Sequence, residues 1–585
     1  MFRSSTILLL VLAANTTPGS DAFRNGNNAP QADPKVSGSS KTTFPTTISK
    51  PPMPRKWPIV GTLPDFFTRG GVDGMSRVHE SMYEEFGPVY GMSLMGDDEM
   101  VFSDPRVLDQ VLRKEGKFPI GGAETVTTFS EYYQENEMDF AIKGVQHGPQ
   151  WKEYRMSINP DMYVLWDTYL PAIAETCNKI SRVAGREVTE TKNQHMADFL
   201  SHAAFDMFSA VLYGESPETT DTVKATPEDI AFVSATKTAF DITGKLMTNP
   251  LEKVFESDLY KEFVVNMDAT VELAAKRGKD KIQKAVSNKA AMEQAAEAAA
   301  AATTTDATGN DSASGSSGCP VAAIKKATGS VRDKVIPTDF VNPSFIERLV
   351  HRENLTQDQI AETQTPLLMA GVDTTAYVMS WFYLNIASNP DIQTKLAKEL
   401  KETLNGADVT TVEQMESLTY LKQCFRESHR LTPTSPLSIK TLEEDIDVVT
   451  NDQAYSIPAG QRISLNLRGL PMDSKFVENP SAFSPERFAP SAIEARRGTP
   501  SSIALDHPYM NDPFGRGKRR CLGANVAIAE MMVLAARLLQ DWEITLEDSS
   551  EAVHSPTKTW SSKQKLMLIA DPYPNMRLVP RTNKQ

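Results

Sequence analysis

Phe514-Gly515-Arg516-Gly517-Lys518-Arg519-Arg520-Cys521-Leu522-Gly523 decides the reading of this chain. A lone cysteine closes a glycine-rich, strongly basic turn, and an alanine-rich apolar stretch follows at once. A cysteine at a helix N-terminus beside cations has a lowered pKa and persists as thiolate. The helix dipole and the free N–H groups of its first turn favour an anion there. Gly515, Gly517 and Gly523 are expected to let backbone approach closely. Arg519 is expected to be free for a carboxylate, which a guanidinium grips well. The pattern suits one thiolate facing a large anionic cofactor. By itself it also fits a buried structural cysteine ahead of an ordinary helix.

Phe514, Gly517, Arg519, Cys521 and Gly523 resemble the cytochrome P450 cysteine loop, F-x-x-G-x-R-x-C-x-G, at every fixed position. The resemblance implies a mainly α fold with a small β region. It implies haem (iron protoporphyrin IX), with Cys521 as axial ligand and metal site and Arg519 on a propionate. Thiolate ligation favours O–O cleavage.

Bulk properties allow this. The 585 residues carry 40% hydrophobic and 23% charged side chains, ordinary for a globular protein. A net charge of −14 argues against nucleic-acid binding. Cys177, Cys319, Cys424 and Cys521 are far apart, so neither a disulfide framework nor a zinc site is indicated. The eight histidines form no H-x-x-x-H pattern, so a metal site must use Cys521.

The chain start reads as an address. Arg3 precedes an apolar run, Ile7 to Ala14, with small residues suited to cleavage after Ala22. That run is too short to span a bilayer, which leaves only peripheral membrane contact open. From Phe23 to Gly61 there are six Lys or Arg against one acid, Asp33. Residues 1–22 thus look signal-like and 23–50 transit-like. Together they resemble a bipartite plastid address. A mitochondrial address and plain secretion are the alternatives. The P450-like domain is expected over 51–585.

Within it, Val89–Leu94 and Glu99–Phe102 read as a hairpin turning at Gly96-Asp97-Asp98, and a second β region runs from Thr441 to about Leu467. The remainder is mostly helical in period. Residues about 288–335 read as a low-complexity insertion. A helix runs into it as far as Ala302, and Thr303–Gly318 has no period that could bury a core.

Ala370-Gly371-Val372-Asp373-Thr374-Thr375 sits in a helix expected from near Thr356, kinked at Pro366. An acid beside a hydroxyl is costly in an apolar helix, and Ala370-Gly371 leaves room beside it. Those are parts for protonating dioxygen, although an internal helix cap would look the same. The segment resembles the family's oxygen-binding helix, [A/G]-G-x-[D/E]-T-[T/S]. That implies catalytic roles for Asp373, feeding a proton relay, and Thr374, orienting water, with Gly371 beside the cofactor.

Glu427-Ser428-His429-Arg430 matches E-x-x-R, alone no more than a surface ion pair. With Pro485-Glu486-Arg487-Phe488, matching P-E-R-F, the resemblance implies a buried network of Glu427, Arg430 and Arg487. It also implies propionate contacts from Trp151 and Arg155, which fit W-x-x-x-R. Lys440 stands where many members carry arginine for a propionate, and the resemblance implies that Phe514 also contacts the cofactor. His429 occupies a usually apolar position and reads as a tolerated helix residue.

Several stretches look most like the mitochondrial branch: the Ala370–Thr375 segment running on to Ser380-Trp381, Glu115-Gly116-Lys117-Phe118-Pro119, and His507-Pro508-Tyr509 leading into Phe514. Lys422 and Arg426 match a basic pair that in that branch docks an acidic ferredoxin. As i, i+4 neighbours they are expected to form one positive patch. Ala524 and Asn525, however, stand where that branch commonly has basic residues. Gln585 follows the cysteine loop too soon for a flavin domain, so a separate electron donor is expected. The resemblance implies a monooxygenase placing one atom of O2 into an apolar small molecule such as a sterol, isoprenoid or fatty acid. A hydroperoxide isomerase or dehydratase and a non-catalytic haem sensor are the alternatives, and neither needs Asp373-Thr374. Gly121–Phe129 and Ile230–Leu251, expected to line the substrate pocket, show only generic apolar and small residues.

Overall fold

Helices form wherever apolar residues recur at helical spacing, and the longest of them position the site. The computed structural model describes residues 48–94, 96–120, 127–248, 251–305, 343–547, 562–564 and 567–581. The signal-like segment and nearly all of the transit-like one lie outside the described residues. The principal helices are α1 (Pro149–Asn159), α2 (Leu170–Ala184), α3 (Met196–Tyr213), α4 (Pro227–Thr248), α5 (Asp258–Thr305), α6 (Gln357–Ala387), α7 (Pro390–Leu404), α8 (Thr419–Leu431) and α9 (Ala524–Asp541). No helix among the described residues is long and apolar enough to cross a membrane.

α6 is the central element. Thr356 caps it through a capping box with Gln359, satisfying two N-terminal backbone donors. Pro366 lies inside the helix without ending it. Leu368, Val372, Ala376, Met379 and Phe382 are buried in the main core, with residues of α2, α3 and α9. Gly371 permits the close approach of α3. A Cβ there would lie 2.9 Å from the Phe208 ring, nearer than such contacts allow.

The β structure is a four-stranded sheet ordered β1-β2-β6-β3, with a separate hairpin of β4 and β5. β1 (Val89–Leu94) and β2 (Asp97–Phe102) form the expected hairpin, begun two residues earlier than the sequence suggested. β3 (Leu437–Thr441), β4 (Ile446–Thr450), β5 (Gln453–Ile457) and β6 (Arg462–Asn466) fill the second β region, and β6 pairs in parallel with β2. Near the C-terminus, β7 (Trp542–Leu546) pairs with Met576–Pro580, a pairing the sequence reading did not foresee.

α5 runs on to Thr305. The helix expected as far as Ala302 thus ends three residues later, and the rest of the low-complexity segment, 306–335, lies outside the described residues. Alanine has the highest helix propensity, and the alanine run sustains the extra turns.

Candidate active site

Cys521 lies two residues ahead of α9, whose N-cap is Gly523. The loop before it is folded by its own backbone: Cys521 N–H donates to Phe514 O (3.0 Å) and Arg520 N–H to Gly517 O (3.1 Å). Gly515 (φ 69°) and Gly517 (φ 86°) occupy the left-handed region that disfavours side chains. Gly517 is doubly constrained, because a Cβ there would sit 2.8 Å from Glu115 Oε2. Gly523 has no such need, at φ −86°. No protein atom lies within 4 Å of where its Cβ would be, so that position opens on space.

The Cys521 side chain is accessible, yet its surroundings are protein. Burial pushes its thiol pKa up, the reverse of the lowered value the sequence suggested. The Gly523 N–H, Arg155 and Arg520 pull the other way without prevailing. A metal deprotonates a coordinating thiol outright, so a metal bound here would supply what these neighbours do not. Among the described residues no group of three or more His, Cys, Asp or Glu could hold a metal.

The propionate candidates converge beside the thiol. Arg519 stacks over the Trp151 ring, 4.1 Å from its centroid. Its guanidinium also donates to Pro119 O (2.7 Å) and Gln146 O (2.8 Å), so it is held in place rather than free. Arg155, one turn after Trp151 on α1, donates to Arg520 O (3.0 Å). Lys440 is placed differently: its ammonium bonds Glu115 (3.3 Å) and Arg516 O (3.3 Å), with both side chains nearly buried. Glu115 also accepts from the Lys518 N–H (3.2 Å). Glu115 thus clamps the cysteine loop, a role the sequence reading missed, because its partners stand more than 300 residues away.

On α6, Ala370 is exposed and Thr374 partly so, in the middle of a helix otherwise largely buried. Thr374 Oγ1 donates to Ala370 O at 2.7 Å. Asp373 is buried at 1% exposure. One turn on, Tyr377 donates its hydroxyl to Asp241 of α4 at 2.7 Å. Gly371, read as space beside the cofactor, has its α-carbon turned to Phe208 instead; Ala370 is the small residue that faces open space.

Behind the loop, Glu427 is fully buried. It accepts from Arg430 Nε (2.7 Å) and Nη2 (2.8 Å), from Arg487 Nε (3.3 Å) and from the Ser484 N–H (2.8 Å). The remaining guanidinium donors reach backbone carbonyls of Pro471, Ala482, Glu478 and Asn479. The weak E-x-x-R signal is therefore one edge of a closed network.

Lys422 and Arg426 do not form one free positive patch. Lys422 pairs with Glu416. Arg426 lies over the Phe488 ring at 4.3 Å. Asn525, where a cation was expected, donates to Tyr163 O (3.0 Å).

An accessible thiol at a helix N-terminus, cations beside it, open space at Gly523 and Ala370, and an acid–alcohol pair on α6 together fit a haem. The cytochrome P450 family model matches residues 51–573. The chain belongs to the cytochrome P450 family. It is a haem-dependent monooxygenase of that family. It is 22% identical over 508 residues to the mitochondrial 1,25-dihydroxyvitamin D(3) 24-hydroxylase of Mus musculus, covering 86% of this chain and 85% of that one. It is 22% identical over 499 residues to the mitochondrial sterol 26-hydroxylase of Rattus norvegicus, covering 84% and 83%. Cytochrome P450 4c21 of Blattella germanica is 23% identical over 536 residues, covering 91% and 93%.

Proposed function

We propose that this cytochrome P450 hydroxylates a bulky apolar molecule of sterol, isoprenoid or fatty-acid type, with electrons from a separate ferredoxin-like protein, in an organelle. Mitochondrion is favoured over plastid because mitochondrial hydroxylases stand among its relatives. The observation that carries the substrate class is an apolar cluster over α6. Phe129, Tyr132, Phe240, Leu246 and Phe263 pack with Met369 and Tyr377, which flank Asp373. Such a surface, with few polar groups, selects by shape and by exclusion of water.

Bound haem supplies the reductive activation of dioxygen, sending one atom into substrate and the other to water. The chain's own residues do the rest. Cys521 Sγ carries the ligating charge, supported by the Gly523 N–H, Arg155 and Arg520. Trp151, Arg155 and Arg519 form the cationic side that receives propionates. Thr374 holds its proton on Ala370 O and can turn that hydroxyl toward a water. Asp373, buried beside it, hands protons inward. Asp373–Thr374 favours this reading over an isomerase or a sensor, neither of which uses it.

The substrate class is tested by titrating the ferric holoprotein with sterol, isoprenoid and fatty-acid pools. A saturable high-spin shift is expected from at least one pool. Shifts only from small polar compounds would defeat this reading.

A further inference from the structure

A cavity of about 540 Å³ lies between the later turns of α6, α8, α9 and the segment leading into the cysteine loop. Its walls are apolar, with Trp381, Phe425, Phe514, Ile528, Met531 and Met532 among the lining residues. Its volume falls in the range of small-molecule pockets, about 300–1,000 Å³.

Polar side chains interrupt those walls: the carboxylates Glu416, Asp506 and Asp512 line the cavity, and Arg426 and His429 stand three residues apart on one face of α8. Arg426 makes no ion pair and no hydrogen bond among the described residues, and its Nε is buried without an acceptor. It is partly buried, with the Phe488 ring against it at 4.3 Å. His429 Nε2 is likewise buried without a partner. Burial keeps the imidazole neutral, its pKa lowered to about 4. By contrast Arg430, between the same helix and Arg487, has every nitrogen engaged. Asp506 acts on Arg426 by charge but spends its hydrogen bonds on Arg496; leaving buried donors unmet is costly, and a guanidinium with an unmet N–H can take a further carboxylate. Lys422, Arg516 and Arg520 also line the cavity, each paired with Glu416 or Asp512 of the same lining, so the donors left for a ligand are those of Arg426 and His429.

We propose that this cavity binds a monocarboxylate with an apolar body. Its carboxylate bonds Arg426 and an N–H of His429, and its hydrocarbon or ring lies against Phe425, Ile528 and the two methionines. This is a site separate from the substrate site over α6, and Phe514 links it to the cysteine loop.

The test uses ferric holoenzyme with the distal side blocked by an azole bound to iron, titrated calorimetrically with decanoate. One saturable equivalent is expected. Decanol, without the charge, binds at least about tenfold weaker. Arg426→Gln weakens decanoate at least about tenfold, and His429→Leu by about threefold or more. Ile528→Phe fills the cavity from the opposite wall and removes binding altogether. The reduced carbon monoxide band of each variant shows that its haem site is intact. Absence of saturable binding, equal affinity for decanol, or binding unchanged in both Arg426→Gln and Ile528→Phe overturns the proposal. The decanol contrast and Ile528→Phe keep it decidable if Arg426→Gln does not fold.

Discussion

On the cysteine side of the site, the Glu427 carboxylate accepts from two guanidinium groups and a backbone N–H, and those guanidinium groups spend their other donors on carbonyls. On the α6 side, Thr374 bonds, among the described residues, only a carbonyl of its own helix. One wall is locked by charges that answer one another across 60 residues of chain, while the other keeps a hydroxyl that can leave its bond at little cost. Satisfied buried charge fixes geometry, and a weakly held hydroxyl can act. The contrast assigns holding to the first wall and chemistry to the second.

Substitutions can break that assignment. Cys521→Ser removes the proposed ligand, and the red-shifted band of the reduced carbon monoxide complex should vanish entirely. A surviving band would move the iron ligand elsewhere. Glu427→Gln leaves Arg430 and Arg487 facing a neutral group in a buried place. About 3–5 kcal/mol of stability is expected to go, read as a lowered Tm and haem loss. A neutral outcome would mean the network holds nothing.

Acid sharpens the comparison by less. His429 has its folded pKa lowered to about 4 by burial, below its unfolded value. The native state therefore binds fewer protons than the unfolded one. Stability is intact above the unfolded pKa and falls as pH drops from about 6.5 toward 4, by up to about 3 kcal/mol. His429→Leu should flatten that part of the pH–Tm curve, and an unchanged slope would locate the acid sensitivity elsewhere.

Thr374→Ala should disturb the fold least, within about 1 kcal/mol, since it removes one intrahelical bond. Its effect belongs to turnover: product formed per electron consumed should drop several-fold in a reconstituted ferredoxin system. Unchanged coupling with a lowered Tm would reverse the roles of the two walls.

The residues proposed to carry the chemistry stood out because they are local. Phe514 to Gly523 and Ala370 to Thr375 each carry their meaning within ten residues. What escaped depends on distant chain. Helical spacing puts Lys422 and Arg426 on one face but does not say that Phe488 will cover part of it. Glu115 looks like any surface acid until Lys440 and Lys518 meet it. Gly371 invited a reading as space for a ligand, and only the packing of α3 shows that Phe208 uses it. The Cys521 thiol was expected to ionise easily from its charged neighbours in sequence. Desolvation, a property of the assembled fold, outweighs them.

The parallel pairing of β2 with β6 has a consequence for biosynthesis. Glu99 lies opposite Arg462, so about 360 residues must be made before the strand completing that edge exists. At roughly 5–20 residues per second, that is roughly 20–70 s. Throughout that interval the nascent hairpin presents an unpaired edge, a template for wrong partners. A fragment released before Asn466 cannot close this sheet, and a chaperone acting on this chain has its longest task at the N-terminal hairpin.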